Sequence, residues 1–290
     1  MSSKSKGILF ILLAALSFSM MSVCVRLAGD INTFEKAFFR NLVAVLITGV
    51  LMLRQHIPAK LKRESRPFVF WRAVLGTLGL VCNFYAVSRI NLADANMLNK
   101  MSPFFAVVFS TLLLKEKMRL RQLLIVLGAF AASLLILKPS PANLQLLPSL
   151  VGALGGIAAG GAYTCLRGAT THGAPRTFVI FFFSVFSTLV ILPLALLNFT
   201  MPSPAQLLWL LLCGVFAACG QFSITAAYTF APAREISVYD YSQIIFSALL
   251  GFFIFGQVPD GLSFLGYGII ILLALINSGH IQIGRKKGTA

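Results

Sequence analysis

Residues 85–118 read YAVSRINLADANMLNKMSPFFAVVFSTLLLKEKM, and residues 228–259 read YTFAPAREISVYDYSQIIFSALLGFFIFGQVP. Each begins at a tyrosine, enters an apolar run studded with polar residues, and closes on an apolar stretch ending in LKE or FGQ. They align with a two-residue gap, the signature of an internal repeat. Between them the segment KPSPANLQLLP (138–148) divides the chain into halves 1–140 and 141–290.

A bilayer core takes about 20 apolar residues per helix. On that length the chain segments into spans at 7–28, 33–53, 68–88, 92–113, 120–137, 147–167, 176–197, 205–229, 233–256 and 260–281. The fold expected is an all-α integral membrane protein of ten transmembrane helices, five in each half. An odd number of spans per half makes the halves enter the membrane from opposite sides. The repeat is then inverted, a plan common to secondary transporters with a central cavity. Of the 24 lysines and arginines, seventeen fall in loops on the N-terminal side and four on the other, and Arg40, Arg72 and Lys100 lie within spans. The excess of positive charge predicts a multi-pass protein of the cytoplasmic (inner) membrane, with both termini cytoplasmic. Lys4 and Lys6 before the first apolar run imitate a secretory signal, but no small-residue cleavage pattern follows, so the run reads as a retained helix.

Composition agrees. Of 290 residues 58% are hydrophobic and 11% charged, with mean hydropathy +0.88, whereas a soluble domain is about 25% charged. The net charge of +16 sits mostly in short loops, where it meets anionic lipid headgroups rather than nucleic acid. All five cysteines fall in apolar segments without metal-ligand spacing, and read as buried thiols.

A charge at the bilayer centre costs ~2.5–3.5 kcal/mol, so each intramembrane charge asks for a reason. Asn96, Asn99, Lys100 and Pro103 share a face of span four by helical spacing. Ser237, Asp240, Gln243 and Ser247, with Tyr241 alongside, stripe span nine. Counted back from Glu116 and Gln257, Asn99 matches Asp240 and Lys100 matches Tyr241. The expectation is that Lys100 and Asp240 meet near the midplane, lining one cavity or forming an ion pair that only locks the bundle. Arg40 with Asn41 either reaches that cavity, as a fork for a carboxylate, or pairs with Glu35 or the headgroups. Arg72, near the inner end of span three, reads as a headgroup snorkeller. Pro103 predicts a kink in span four. Gly152, Gly156 and Gly160 predict close helix packing along span six.

The stretches FFRN (38–41), WRAVLGTLGLVCNFYAVSRINLADANML (71–98) and YDYSQIIFSALLGFFIFGQVPD (239–260) resemble the EamA family of the drug/metabolite transporter superfamily, over nearly the whole chain. The resemblance implies two EamA-type repeats around a central cavity and movement of small metabolites by alternating access. One departure is Gln257, where the family commonly has the glutamate that Glu116 supplies in the first half.

No G-x-x-x-x-G-K-[ST] run is present, which argues against a self-contained ATP-driven pump. No nucleophile has a base at catalytic spacing and no His/Asp/Glu cluster has metal spacing, so the chain is not expected to be an enzyme or to hold a cofactor. Secondary transport leads, with a structural membrane protein as the competing class. The expected substrate site is Lys100, Asp240, Arg40, Asn96, Asn99, Tyr241 and Gln243. Both signs of charge suit a zwitterion, and the resemblance points to amino acids or S-adenosylmethionine-like compounds. An organic anion is the alternative if Asp240 serves only to neutralise Lys100. The partners expected are a small-molecule substrate, membrane lipid and, through Asp240, a coupling proton; nothing in the sequence fixes an oligomeric state.

Overall fold

The computed structural model describes residues 2–58, 61–87, 89, 98–117, 120–137, 146–197, 199–256 and 261–278. Regular structure among them is entirely helical: α1 (Ser3–Leu27), α2 (Thr33–Arg54), α3 (Arg66–Val87), α4 (Ser102–Leu113), α5 (Leu120–Leu137), α6 (Leu146–Thr171), α7 (Arg176–Leu196), α8 (Pro204–Phe230), α9 (Ala233–Asp240), α10 (Ser242–Phe255) and α11 (Gly261–Ser278). Asn96, the segment KPSPANLQ and Gln257 lie outside the described residues.

Local signals set the helix starts. Ser203 and Gln206 form a reciprocal capping box at the start of α8, where Pro204 takes the first turn. The Asn32 side chain accepts the Phe34 amide at 3.0 Å and starts α2. Among the described residues seven helical segments are long and apolar enough to cross a membrane, with α9 and α10 together making one of them, and three shorter apolar helices accompany them. Large apolar side chains stand outward along them, among them Leu53, Leu112 and Phe253. In water such a surface would be untenable; against acyl chains it costs nothing. The chain is a multi-pass membrane protein.

The helices pack in a regular set of partners: α3 on α6 and α1 on α8; α4 on α6 and α1 on α10; α3 on α7 and α2 on α8; then α2 on α7, α5 on α11 and α4 on α9. Small residues bring backbones together, as the glycine spacing predicts. A Cβ at Gly160 would lie 2.5 Å from the Phe105 Cβ and 2.9 Å from the Ala106 amide nitrogen, and one at Gly156 would strike the Leu98 carbonyl. Glycine is therefore required where α6 crosses the fourth apolar segment.

That fourth segment is broken. Leu98 and Asn99 are helical, the chain turns at Lys100 and Met101, and α4 resumes at Ser102. Pro103 is the second residue of the new helix, where its missing amide falls among the N-terminal groups that lack intrahelical partners anyway. The expected kink thus lies ahead of the proline rather than at it. A second break separates α9 from α10 at Tyr241, whose amide makes no hydrogen bond of α-helical register and reaches the Val238 carbonyl at 3.4 Å. No proline marks this one: the nearest, Pro232, precedes α9.

Candidate functional site

The two breaks meet. The Tyr241 hydroxyl donates to the Lys100 carbonyl at 3.0 Å. In return the Lys100 ammonium donates to the Asp240 carbonyl at 3.3 Å, to Asp240 Oδ2 at 3.4 Å and to Gln243 Oε1 at 2.7 Å. A helix break inside a membrane leaves carbonyls that lipid cannot satisfy, so another helix must supply the donor. Here each break receives one from the other. Lys100 is 8% exposed and Asp240 4%, and all three ammonium donors have acceptors.

Beside this crossing lies a cavity of about 150 Å³. Lys100, Asn99, Asp240 and Gln243 form one wall. Arg40 of α2, Arg72 and Asn83 of α3, Gln221 of α8 and the aromatic rings of Phe18, Tyr163 and Phe183 line other sides of it. Five expected residues, Arg40, Asn99, Lys100, Asp240 and Gln243, therefore border one space. Tyr241 does not: it is fully buried behind Lys100, because its hydroxyl closes the helix break instead of facing the cavity.

Arg72 overturns the snorkelling expectation. It is 4% exposed, donates to Gln221 Oε1 at 3.1 Å and lies with its guanidinium carbon 4.2 Å from the Phe183 ring centroid. A signal was present four residues on: a Cβ at Gly76 would collide with the Arg72 guanidinium and come within 2.9 Å of Phe183. The missing side chain gives the arginine room to fold back along its own helix. Arg40 does not pair with Glu35, whose Oε2 instead accepts the Thr200 amide at 3.1 Å. The Nε atoms of Arg40 and Arg72 are both buried without a hydrogen-bond partner.

One end of the bundle, the end that carries the N-terminus of α1, holds a cluster of charge. Glu116 meets Arg167 at 3.3 Å and Arg234 at 3.9 Å. Arg167 also donates to the carbonyls of Tyr228 and Thr229 at 3.0 and 2.9 Å, tying α6 to the end of α8. Between this cluster and the cavity, Tyr163 and Tyr228 stack with centroids 5.2 Å apart.

The model of the EamA-like transporter family matches the chain twice, over residues 5–138 and 146–279. The chain belongs to the EamA-like transporter family. This EamA-like transporter is 34% identical to a pseudopaline exporter of Pseudomonas aeruginosa (strain UCBPP-PA14), over 96% of this chain and 97% of that one. It is 26% identical to a riboflavin transporter of Vibrio cholerae, over 97% and 96% of the two chains. An S-adenosylmethionine uptake transporter of Rickettsia prowazekii shares 22% identity, over 91% and 90%. One crystal structure superposes with a TM-score of 0.83 over 95% of this chain and 97% of its own, at 16% identity, a likeness of fold alone. The EamA-like chain is thus a small-molecule membrane transporter, in a family of transporters rather than enzymes.

Proposed function

We propose that this protein is a secondary transporter that moves a small polar metabolite across the cytoplasmic membrane by alternating access around the cavity at the two helix breaks. The observation that carries the reading is the cavity itself: charged and amide groups, costly in a membrane, converge from five helices on one space. In this reading the three shorter apolar helices also cross, giving ten spans in two five-span repeats, 1–140 and 141–290. The packing partners support an inverted pair. Exchanging each span for the one five places along turns α3 on α6 into α8 on α1, α4 on α6 into α10 on α1, and α3 on α7 into α8 on α2. The pairs α2 on α7, α5 on α11 and α4 on α9 map onto themselves.

Both termini are then cytoplasmic, and the Glu116 cluster closes the cytoplasmic mouth. Arg40, Asn99, Asp240 and Gln243, with Asn96 before the break, are the proposed substrate-side residues, Lys100 borders the cavity while bracing the break, and Asp240 is the proposed carrier of a coupling proton. The relatives named for pseudopaline, riboflavin and S-adenosylmethionine support a metabolite cargo.

Directional labelling tests this. In a background with the native cysteines replaced, Asn83→Cys should react with a membrane-impermeant thiol reagent from the face opposite the termini. Loosening the Glu116 cluster should open Tyr163→Cys to reagent from the other face. A cavity that neither face can reach under any condition would mark a structural protein instead.

A further inference from the structure

Taking the central cavity as the transport site, we infer that its cargo is a small organic dianion, most simply a dicarboxylate, whose two anionic groups are held by Arg40 and Arg72. The inference starts from the charges that line the cavity. Among the described residues these are Arg40, Arg72 and Lys100 against a single carboxylate, Asp240. Lys100 and Asp240 form an ion pair, so two positive charges remain uncancelled. The other described carboxylates do not border the cavity, and two of the buried ones are engaged elsewhere: Glu35 with the Thr200 amide, Glu116 with Arg167 and Arg234.

Donor counting points the same way. The three ammonium donors of Lys100 are all taken by Asp240 and Gln243. Lys100 therefore holds the helix breaks together and has no donor left to offer. A guanidinium has five N–H donors and stays charged at any working pH. Arg72 places one of them on Gln221, and its Nε has no partner. The Nε of Arg40 is equally unpartnered. Two guanidinium groups with a buried Nε unpartnered and no carboxylate beside them among the described residues call for counter-charge from whatever enters. The fork geometry of guanidinium matches a carboxylate or a phosphate by two parallel hydrogen bonds.

The rest of the wall describes the body between the anionic groups. Phe18, Leu80, Phe84 and Phe183 offer apolar surface, while Asn83 and Asn99 offer amides. A mixed wall of this kind suits an organic skeleton with polar substituents better than a bare inorganic ion. Gln221 acts as the neutral spacer that orients Arg72 without neutralising it.

That last point gives the test. Purified full-length protein is titrated with succinate, glutarate, glycerol 3-phosphate, inorganic phosphate and L-leucine, with binding read as a shift in thermal midpoint and by calorimetry. The dicarboxylates should bind at least tenfold more tightly than leucine. Glycerol 3-phosphate has only one anionic group, so its binding more tightly than succinate would overturn the two-ended dianion; inorganic phosphate matching succinate would refute an organic cargo. Gln221→Glu places a carboxylate of nearly the same shape beside Arg72 and supplies the missing counter-charge internally. It should weaken dianion binding at least tenfold while the ligand-free midpoint is unchanged or higher, which loss of fold would not produce. Arg40→Gln should weaken dianions and spare leucine. Leucine binding that survives Gln221→Glu and Arg40→Gln but not Asp240→Asn would overturn the dianion and keep the cavity as transport site. Binding of no probe would overturn the dianion too, while the labelling experiment with Asn83→Cys and Tyr163→Cys independently decides alternating access.

Discussion

Replacing Lys100 by methionine keeps the length of the side chain and removes its charge. Asp240, 4% exposed, would then hold a carboxylate beside a helix break without its counter-ion, and Gln243 would lose its 2.7 Å donor. Removing one partner of a buried pair costs about 3–5 kcal/mol, because the other charge stays behind. The direct Coulomb attraction at 3.4 Å is ~5 kcal/mol at an effective dielectric near 20, which sets the scale of what is lost. Asp240→Asn strands the lysine in the same way, although the Asp240 carbonyl and Gln243 still accept from it, so its cost should fall at the lower end of that range. The double variant leaves no buried charge at the crossing and should lose only about 1–2 kcal/mol, the residue of the broken hydrogen bonds.

Equilibrium unfolding in mixed micelles measures all three, and the coupling energy follows from the cycle. A positive coupling of ~2 kcal/mol or more is expected. Losses that simply add would show that the two residues do not act as a pair and would refute the reasoning. Dianion binding by the double variant then separates the two roles of the lysine. If Lys100 only joins the breaks, the stable double variant still binds the dianion, whatever the loss of Asp240 does to proton coupling; if a stable double variant no longer binds it, Lys100 meets the cargo and the donor count is wrong.

Glu116→Gln should cost about 1–2 kcal/mol, since its partners Arg167 and Arg234 are only partly buried, and should increase labelling of Tyr163→Cys from the terminal face; unchanged labelling would remove the cluster as a closure. Tyr241→Phe deletes one buried hydrogen bond, that to the Lys100 carbonyl, and should lower stability by about 1–2 kcal/mol, measured in the same micelles. Gly160→Val must push α4 off α6 and should cost ~3 kcal/mol or more, seen as lost folded yield, whereas Gly268→Ala, with no atom within 4 Å of the new methyl, should be neutral to stabilising by about 1 kcal/mol.

What could be read from the chain beforehand followed from strong, local physics. Apolar length located the long helices able to cross a membrane, and small residues at every fourth position located a tight crossing. The stretches aligned around Lys100 and Tyr241 do meet. Two features escaped for reasons equally physical. The break at Tyr241 has no proline to announce it; it is held by contacts with Lys100, which lies 141 positions away. Arg72 misled because its depth was counted along the sequence, and depth alone favours a snorkelling side chain. The deciding facts were a glycine one turn on and an aromatic ring on α7, and only the first is visible in one dimension.

The register carries one further consequence. Lys100 and Tyr241 occupy matched positions, and each donates to the main chain of the opposite break. Matched geometry thus carries unmatched chemistry: an ammonium that also needs a carboxylate in one half, a phenol that needs none in the other. The demand for Asp240 follows from that difference, because a second tyrosine at 100 would close the break with no charge at all. Retaining the charged solution adds Asp240 as an ionisable group at the crossing and ties Gln243 to it. Any movement of α4 against α9 must then stretch a carbonyl bond on each side together with the ion pair. The crossing is thus coupled beside the central cavity. The same ammonium is held at 2.7 Å by Gln243, so remaking the crossing requires a new acceptor for all three of its donors at once.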